Sequence, residues 1–220
     1  MEMNDMEKPD FLKNAMRNLS IPVITMEKYG FDCPGVDILF DYEKGGYMAT
    51  RHLIECGHRR IGCVAGKQSF HVTMQRLNGY KKALEESGIS YDPDLVYFGD
   101  YTMESGYEAF SYILGQKVTA IFSMNDEMAF GIYRAARLYG VSIPEDISII
   151  GFDNVPFADV MQVPLTTIGV PVIEMGKKLG EKVVDLIDNK EKLKEREEIL
   201  YTPRLLVRGS TKSIPPVTVI

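Results

Sequence analysis

The sequence predicts a doubly wound α/β protein built on parallel sheets. Short runs rich in Val and Ile lack strict polar alternation, which indicates strands that are covered on both faces. Amphipathic segments of helical length separate these runs, which is typical of βαβ units. The chain has 220 residues, of which 45% are hydrophobic, and this suffices for one large or two small packed domains.

The predicted strands are short apolar runs, each bounded by turn-forming or polar residues. In chain order they cover Val36–Phe40, Ile61–Ala65, Leu95–Phe98, Val118–Phe122, Ile147–Phe152 and Ile199–Val207. The predicted helices lie between them and cover Glu43–Cys56, Met74–Ser87, Ser105–Leu114, Asp126–Tyr139 and Pro171–Ile187. Asp41 is a candidate N-cap for the first helix, and Pro171 suits the first turn of the last. A glycine follows each of the first four helices, where it favours termination.

Composition and charge exclude several classes of protein. The chain carries 31 acidic and 25 basic residues, so a formal charge of −6 makes it a poor general binder of phosphate backbones. No apolar run approaches the length of a membrane span, and the acidic N-terminus lacks the layout of a secretion signal. No two of the three cysteines, Cys33, Cys56 and Cys63, have the Cys-x-x-Cys spacing, so we expect free thiols in a cytoplasmic protein.

Catalytic and metal-binding motifs are missing from the sequence. The segment Gly62–Gln68 fails as a phosphate loop, because three residues rather than four separate its glycines and no hydroxyl follows Lys67. There is no Gly-x-Ser-x-Gly elbow and no His-Glu-x-x-His pair. His52 and His58 are six residues apart, so we expect structural or solvated roles for both. The sequence therefore predicts no catalytic residue, no cofactor and no metal.

Polar residues follow several predicted strands, where a parallel sheet of this kind places its ligands. Arg76 lies beyond Ile61–Ala65, and Asp126 and Asp153 follow later strands. Together they could bind neighbouring sugar hydroxyls or the edge of a small heterocycle. The two acids could instead act in acid–base chemistry or hold a metal, or could open a helix and form a turn. His71 lies in the same region and could touch a ligand.

The order of several segments resembles the lactose-repressor/galactose-repressor (LacI/GalR) family of bacterial transcription regulators, from about Ile21 to Thr211. The matching segments are Ile21–Val23, His52–Ile54, Gly57–Ile61, Arg76–Tyr80 with Ala83–Leu84, Thr119–Phe122, Asn125–Asp126 with Met128–Ala129, Ile143–Ser148, Gly151–Asp153, Pro164–Thr167 and Arg208–Thr211. Each segment is weak alone, but their order and spacing together are specific.

The resemblance implies a sensor domain similar to periplasmic sugar-binding proteins, with two lobes and a cleft between them. It assigns residues 1–40 and 170–198 to an N-terminal lobe, and 41–168 and 199–211 to a C-terminal lobe. By position, Arg76, Asn125 and Asp153 match the residues with which family members hold their effector, and His71 completes our set of ligand-binding candidates. Val72 stands where family members often have a hydroxyl, although Thr73 lies beside it.

The resemblance further implies that a small effector, a sugar, controls operator binding by a homodimer. The family's helix-turn-helix head and the opening strands of its N-terminal lobe have no counterpart here. We therefore expect an incomplete N-terminal lobe in a chain that is a fragment or is completed by another chain, and contact with DNA only through the separate head. A solute-binding protein of a transport system is the alternative function, and an enzyme using Asp126 and Asp153 is a third.

Overall fold

The computed structural model describes residues 23–26, 35–189 and 196–215. In chain order the described elements are β1 (Val23–Thr25), β2 (Gly35–Phe40), α1 (Tyr42–Glu55), β3 (Ile61–Ala65), α2 (His71–Glu86), a 3₁₀ turn (Pro93–Leu95), β4 (Val96–Phe98), α3 (Met103–Gly115), β5 (Ala120–Ser123), α4 (Asp126–Tyr139), β6 (Ser148–Asp153), α5 (Phe157–Val160), β7 (Thr166–Gly169), α6 (Val172–Asp188), β8 (Arg196–Tyr201) and β9 (Arg204–Leu206).

The chain divides into two compact units. Of the described residues, the smaller unit contains those up to Asp41 and those between Pro171 and Pro203, and the larger unit contains Tyr42–Val170 and those from Arg204 to position 215. In the smaller unit, β1 and β8 flank β2 in a parallel three-stranded sheet, and α6 packs against β2. The larger unit holds a six-stranded sheet in the order β4-β3-β5-β6-β7-β9. Its strands are parallel except for the β7–β9 pair.

The larger sheet reverses its winding between β3 and β5. The chain moves outward from β3 to β4, then returns across β3 to β5 and continues to β6. Right-handed crossovers therefore place α2 and α3 on opposite faces, where α1 packs with α2 and α3 with α4. Ligand sites in such sheets lie at the carboxyl ends of the strands beside this reversal. The ends of β3 and β5 are thus the expected location of a site.

Glycines bring the paired helices into backbone contact. A β-carbon on Gly46 of α1 would lie 2.2 Å from the carbonyl oxygen of Arg76 in α2. A β-carbon on Gly131 of α4 would likewise lie 1.9 Å from the carbonyl oxygen of Met103. Because neither contact leaves room for a side chain, the position of Arg76 depends on how closely α1 and α2 pack.

Two histidines attach the C-terminal segment to the larger unit. The buried His58 ring is hydrogen-bonded to the Thr119 and Ser148 hydroxyls, at 2.9 and 3.1 Å, and its Nε2 donates to the carbonyl oxygen of Lys212 at 3.2 Å. His52 Nε2 lies 2.9 Å from the Thr211 hydroxyl. The prediction was a structural or solvated role for His52 and His58, and these hydrogen bonds give both a structural role.

The doubly wound α/β class is confirmed, and α4 has the predicted bounds. The prediction of one strand over Ile199–Val207 is wrong, because the strand is interrupted at Thr202 and Pro203 and its two halves join different sheets as β8 and β9. Strands β1 and β7 and the short helix α5 were not predicted from the sequence. Cys56 and Cys63 are free thiols, while Cys33 lies outside the described residues. No helix among the described residues is long and apolar enough to cross a membrane.

Candidate functional site

Arg76 is the centre of a polar cluster at the carboxyl ends of β3, β5 and β6. Its side chain is 7% exposed, and one terminal nitrogen donates to the carbonyl oxygen of Met124, just after β5. The other, Nη2, lies 3.4 Å from Oδ1 of Asp153 at the end of β6. The structure therefore brings together two of the predicted ligand-binding residues, Arg76 and Asp153.

Aromatic rings surround the Arg76 guanidinium. Its central carbon lies 3.8 Å from the ring centroid of Phe152, 5.0 Å from that of Tyr42 and 5.8 Å from that of Tyr101. Such contacts hold the guanidinium plane in a fixed orientation. Within the described chain, Nε of Arg76 is the buried side-chain nitrogen or oxygen that lacks a hydrogen-bond partner. Buried polar atoms are normally paired, so this one marks a place where an acceptor would be bound favourably.

Asp153 has a strained backbone and a partly exposed carboxyl group. Its φ angle is 111°, and Asn154 follows with a φ of 59°, so two successive non-glycine residues have positive φ angles. Burial raises the pKa of the Asp153 carboxyl to about 6, while the Arg76 guanidinium acts in the opposite direction. At neutral pH the carboxylate is the main form, so the pair offers donors and acceptors side by side.

Asn125 is the N-cap of α4, and its side chain already has partners. Its Oδ1 accepts from the backbone N–H of Met128 at 2.9 Å, and its Nδ2 donates to the carbonyl oxygen of Tyr101 at 2.9 Å. These bonds connect the ends of β4 and β5. The predicted contact between Asn125 and a ligand stays a prediction.

His71 is the first residue of α2 and is exposed. It makes no hydrogen bond or ion pair with Arg76, Asn125 or Asp153, and its predicted ligand contact also stays a prediction. Nearby, the buried Thr73 hydroxyl lies 2.7 Å from the Tyr101 hydroxyl. Thr73, which offers a hydroxyl next to Val72, is therefore hydrogen-bonded to Tyr101 of the cluster.

Asp126 lies in the interior and does not oppose Asp153 across an open site. It is fully buried, and its carboxylate accepts from the Thr167 hydroxyl at 2.7 Å and from the Val155 N–H at 2.9 Å. The hypothesis of two acids facing each other over a substrate therefore loses its geometric support. No group of three or more metal-ligating side chains occurs among residues 23–26, 35–189 and 196–215.

Tyr101 and Tyr42 belong to the cluster but are not among the four predicted ligand-binding residues. Tyr101 stacks on Phe70, with ring centroids 6.2 Å apart, and a β-carbon on Gly66 would lie 2.0 Å from its ring. Tyr101 follows β4 at the same edge of the sheet, and this position makes it a candidate from the sequence. Tyr42 opens a helix before the first strand of the sheet, and no local pattern marks it.

Comparison with known proteins agrees with this architecture. A family described as "Periplasmic binding protein-like domain" matches residues 50–211. The chain is 36% identical to the HTH-type transcriptional repressor PurR of Photobacterium profundum, over 93% of this chain and 61% of that protein. The solved structure of a LacI family transcriptional regulator from Enterococcus faecium with bound ribose superposes with a TM-score of 0.82 at 30% identity, covering 94% of this chain and 77% of that one.

The chain belongs to the LacI family of transcriptional regulators. It contains the effector-binding, periplasmic-binding-protein-like part of such a regulator, as the sequence resemblance predicted. A second solved structure, the transcriptional regulator CelR–cellobiose complex, superposes with a TM-score of 0.76 at 29% identity and covers 91% of this chain and 69% of that one. The chain spans about three fifths of the length of the PurR relative.

Proposed function

We propose that this chain binds a small sugar at the carboxyl ends of β3, β5 and β6, and that binding controls a DNA-binding head elsewhere in the parent regulator. The observation that carries the proposal is the Arg76 guanidinium, held beside Asp153 among aromatic rings. Two solved relatives contain ribose and cellobiose, which supports a sugar as the ligand class.

The chemistry of the cluster suits a polyhydroxylated ligand. A carboxylate accepts from two neighbouring hydroxyls, while a guanidinium donates to hydroxyl oxygens in the same plane. The Tyr101 and Tyr42 rings offer apolar faces of the kind that pack against the C–H face of a sugar ring. An acceptor on the ligand would also satisfy Nε of Arg76.

Isothermal titration calorimetry with D-ribose and cellobiose tests this proposal. Asp153→Asn should weaken sugar binding by at least about tenfold, because it removes a charged acceptor. Glu104→Gln is the matched control, since Glu104 is an exposed acid that pairs with Arg134 on the surface. Equal binding by Asp153→Asn and Glu104→Gln, or tighter binding of a purine base than of any sugar, would contradict the proposal.

We also propose that the parent regulator acts in the cytoplasm as a homodimer that contacts operator DNA through the head and not through this chain. Side chains on the outer surfaces of α4 and α5 support an association surface, because they are large, apolar and mostly exposed. They are Leu138 (65% exposed), Tyr139 (57%), Phe157 (70%) and Val160 (73%). Sedimentation should show a dimer that Phe157→Ser weakens. A gel shift with operator DNA should show no specific binding by the 220-residue chain without the head.

A transport role would use the same fold, so the fold does not separate the two functions. The relatives described above are transcriptional repressors and regulators, which favours the regulator over the solute-binding protein and over an enzyme.

A further inference from the structure

The loop after β6 carries the Asp153 carboxylate and needs support from outside itself. Asp153 and Asn154 have φ angles of 111° and 59°, a conformation that side-chain-bearing residues avoid unless their surroundings fix it. The Asn154 side chain is fixed from one side, since its Oδ1 accepts from Nη2 of Arg208 at 2.8 Å. The backbone of the next residue, Val155, is fixed by a hydrogen bond to a carboxylate.

That carboxylate belongs to Asp126, which is fully buried at the first position of α4. Its Oδ2 accepts the backbone N–H of Val155 at 2.9 Å, which fixes the peptide that joins Asn154 to Val155. Its Oδ1 accepts the Thr167 hydroxyl from β7 at 2.7 Å. A β-carbon at Gly151 would lie 2.2 Å from Oδ1, so β6 has a glycine where the carboxylate passes.

We infer that Asp126 is a positioning residue of the effector site: its carboxylate holds the backbone of residues 154 and 155 so that Asp153 stays directed at Arg76. The effect of Asp126 on ligand binding rests on the proposed function. Its support of the loop does not depend on a ligand. Asp126 itself is fully buried and touches no ligand.

The charge state of Asp126 provides a readout that loss of packing alone would not produce. Burial raises the pKa of this carboxyl to about 6, whereas the hydrogen bonds from Thr167 and Val155 lower it. The titratable groups coupled to it are Asp153, which raises its pKa further, and Tyr133, which stays neutral in this range. Protonating Asp126 weakens its bond to the Val155 amide, because a neutral acceptor is weaker than a charged one.

Amide hydrogen exchange of the full 220-residue chain, followed by NMR, tests the inference without any ligand. In the wild type, protection of the Val155 amide relative to that of Ile132 in α4 should fall by about tenfold between pH 7.5 and pH 5, after correction for the intrinsic exchange rate. Asp126→Asn should show the lower protection at both pH values. Thr167→Val, which removes the other partner of the same carboxylate, should keep the pH dependence.

Calorimetry with D-ribose then links the loop to the site. We expect Asp126→Asn to bind ribose about tenfold more weakly than wild type, and Thr167→Val to bind within about threefold of it. If the wild type binds no ribose, the sugar proposal fails, while the exchange data still decide the role of Asp126. The inference would be overturned if the exchange protection of the Val155 amide changed neither with pH nor in Asp126→Asn.

Discussion

Replacing Gly46 by alanine should destabilise the larger unit, because α1 and α2 approach there without room for a side chain. A β-carbon on Gly46 would lie 2.2 Å from the Arg76 carbonyl oxygen, whereas real β-carbons essentially never come closer than 3.0 Å to such an atom. The difference, 3.0 minus 2.2, requires a displacement of at least 0.8 Å. The clashing atom is helix backbone, so it cannot rotate away, and the helix that carries Arg76 must move.

The size of the effect follows from two opposing contributions. Overpacking of this kind costs about 1–3 kcal/mol. The higher helix propensity of alanine offsets about 1 kcal/mol of that cost. The net loss in the free energy of unfolding is therefore at most about 2 kcal/mol, and a loss of that size corresponds to a fall in Tm of roughly 4–8 °C for a chain of this size.

Urea unfolding followed by far-ultraviolet circular dichroism measures this change. The matched control is Gly115→Ala at the exposed end of α3, where a new β-carbon would meet nothing within 4 Å. The control should stay within about 0.5 kcal/mol of wild type. If Gly46→Ala proves as stable as Gly115→Ala, the reasoning about helix contact is wrong.

Three further changes have defined outcomes. Arg208→Ala should cost about 2 kcal/mol of unfolding free energy by urea titration, because it breaks hydrogen bonds of 2.7 Å to the Leu165 carbonyl and 2.8 Å to Asn154; no loss would contradict the bracing of this loop. Burial lowers the pKa of His58 below 6.5, so the unfolded chain binds more protons and the contribution of His58 to stability falls as pH drops through 6.5. The stability advantage of wild type over His58→Gln should therefore shrink from pH 7.5 to 5.5, and a constant difference would refute the cause given. Burial also raises the pKa of the Cys63 thiol, so mass spectrometry should find Cys63 unmodified by maleimide in the folded chain and modified in urea; labelling of the folded chain would contradict its burial.

Local signals explain which elements could be predicted. Helix α4 has the predicted bounds because Asn125 caps it and Gly140 ends it in the left-handed conformation. The division of Ile199–Val207 into β8 and β9 could not be predicted from hydrophobicity, since the run is apolar on both sides of Pro203 and only the pairing with β2 and β7 separates its halves. Strand β7 begins Thr166-Thr167, whose hydroxyls gave no apolar pattern to detect.

The site was also predictable only in part, because contacts between residues that are distant in sequence decide which side chains face it. The positions of Arg76 and Asp153 after their strands indicated a cluster, and the structure places them 3.4 Å apart. The assignment of Asp126 depended on partners that are distant in sequence: the Thr167 hydroxyl and the Val155 amide. Sequence position cannot distinguish an acid that faces a ligand from one that holds a loop, because both follow a strand.

The most direct test of the account is to map sugar-induced NMR shifts over the backbone amides of the full chain. With D-ribose at millimolar concentration, the largest shifts should come from residues around Arg76, Tyr101 and Asp153, and Asp153→Asn should abolish them. Shifts confined to the outer surfaces of α4 and α5, or a pattern that Asp153→Asn leaves unchanged, would contradict an effector site at the carboxyl ends of β3, β5 and β6.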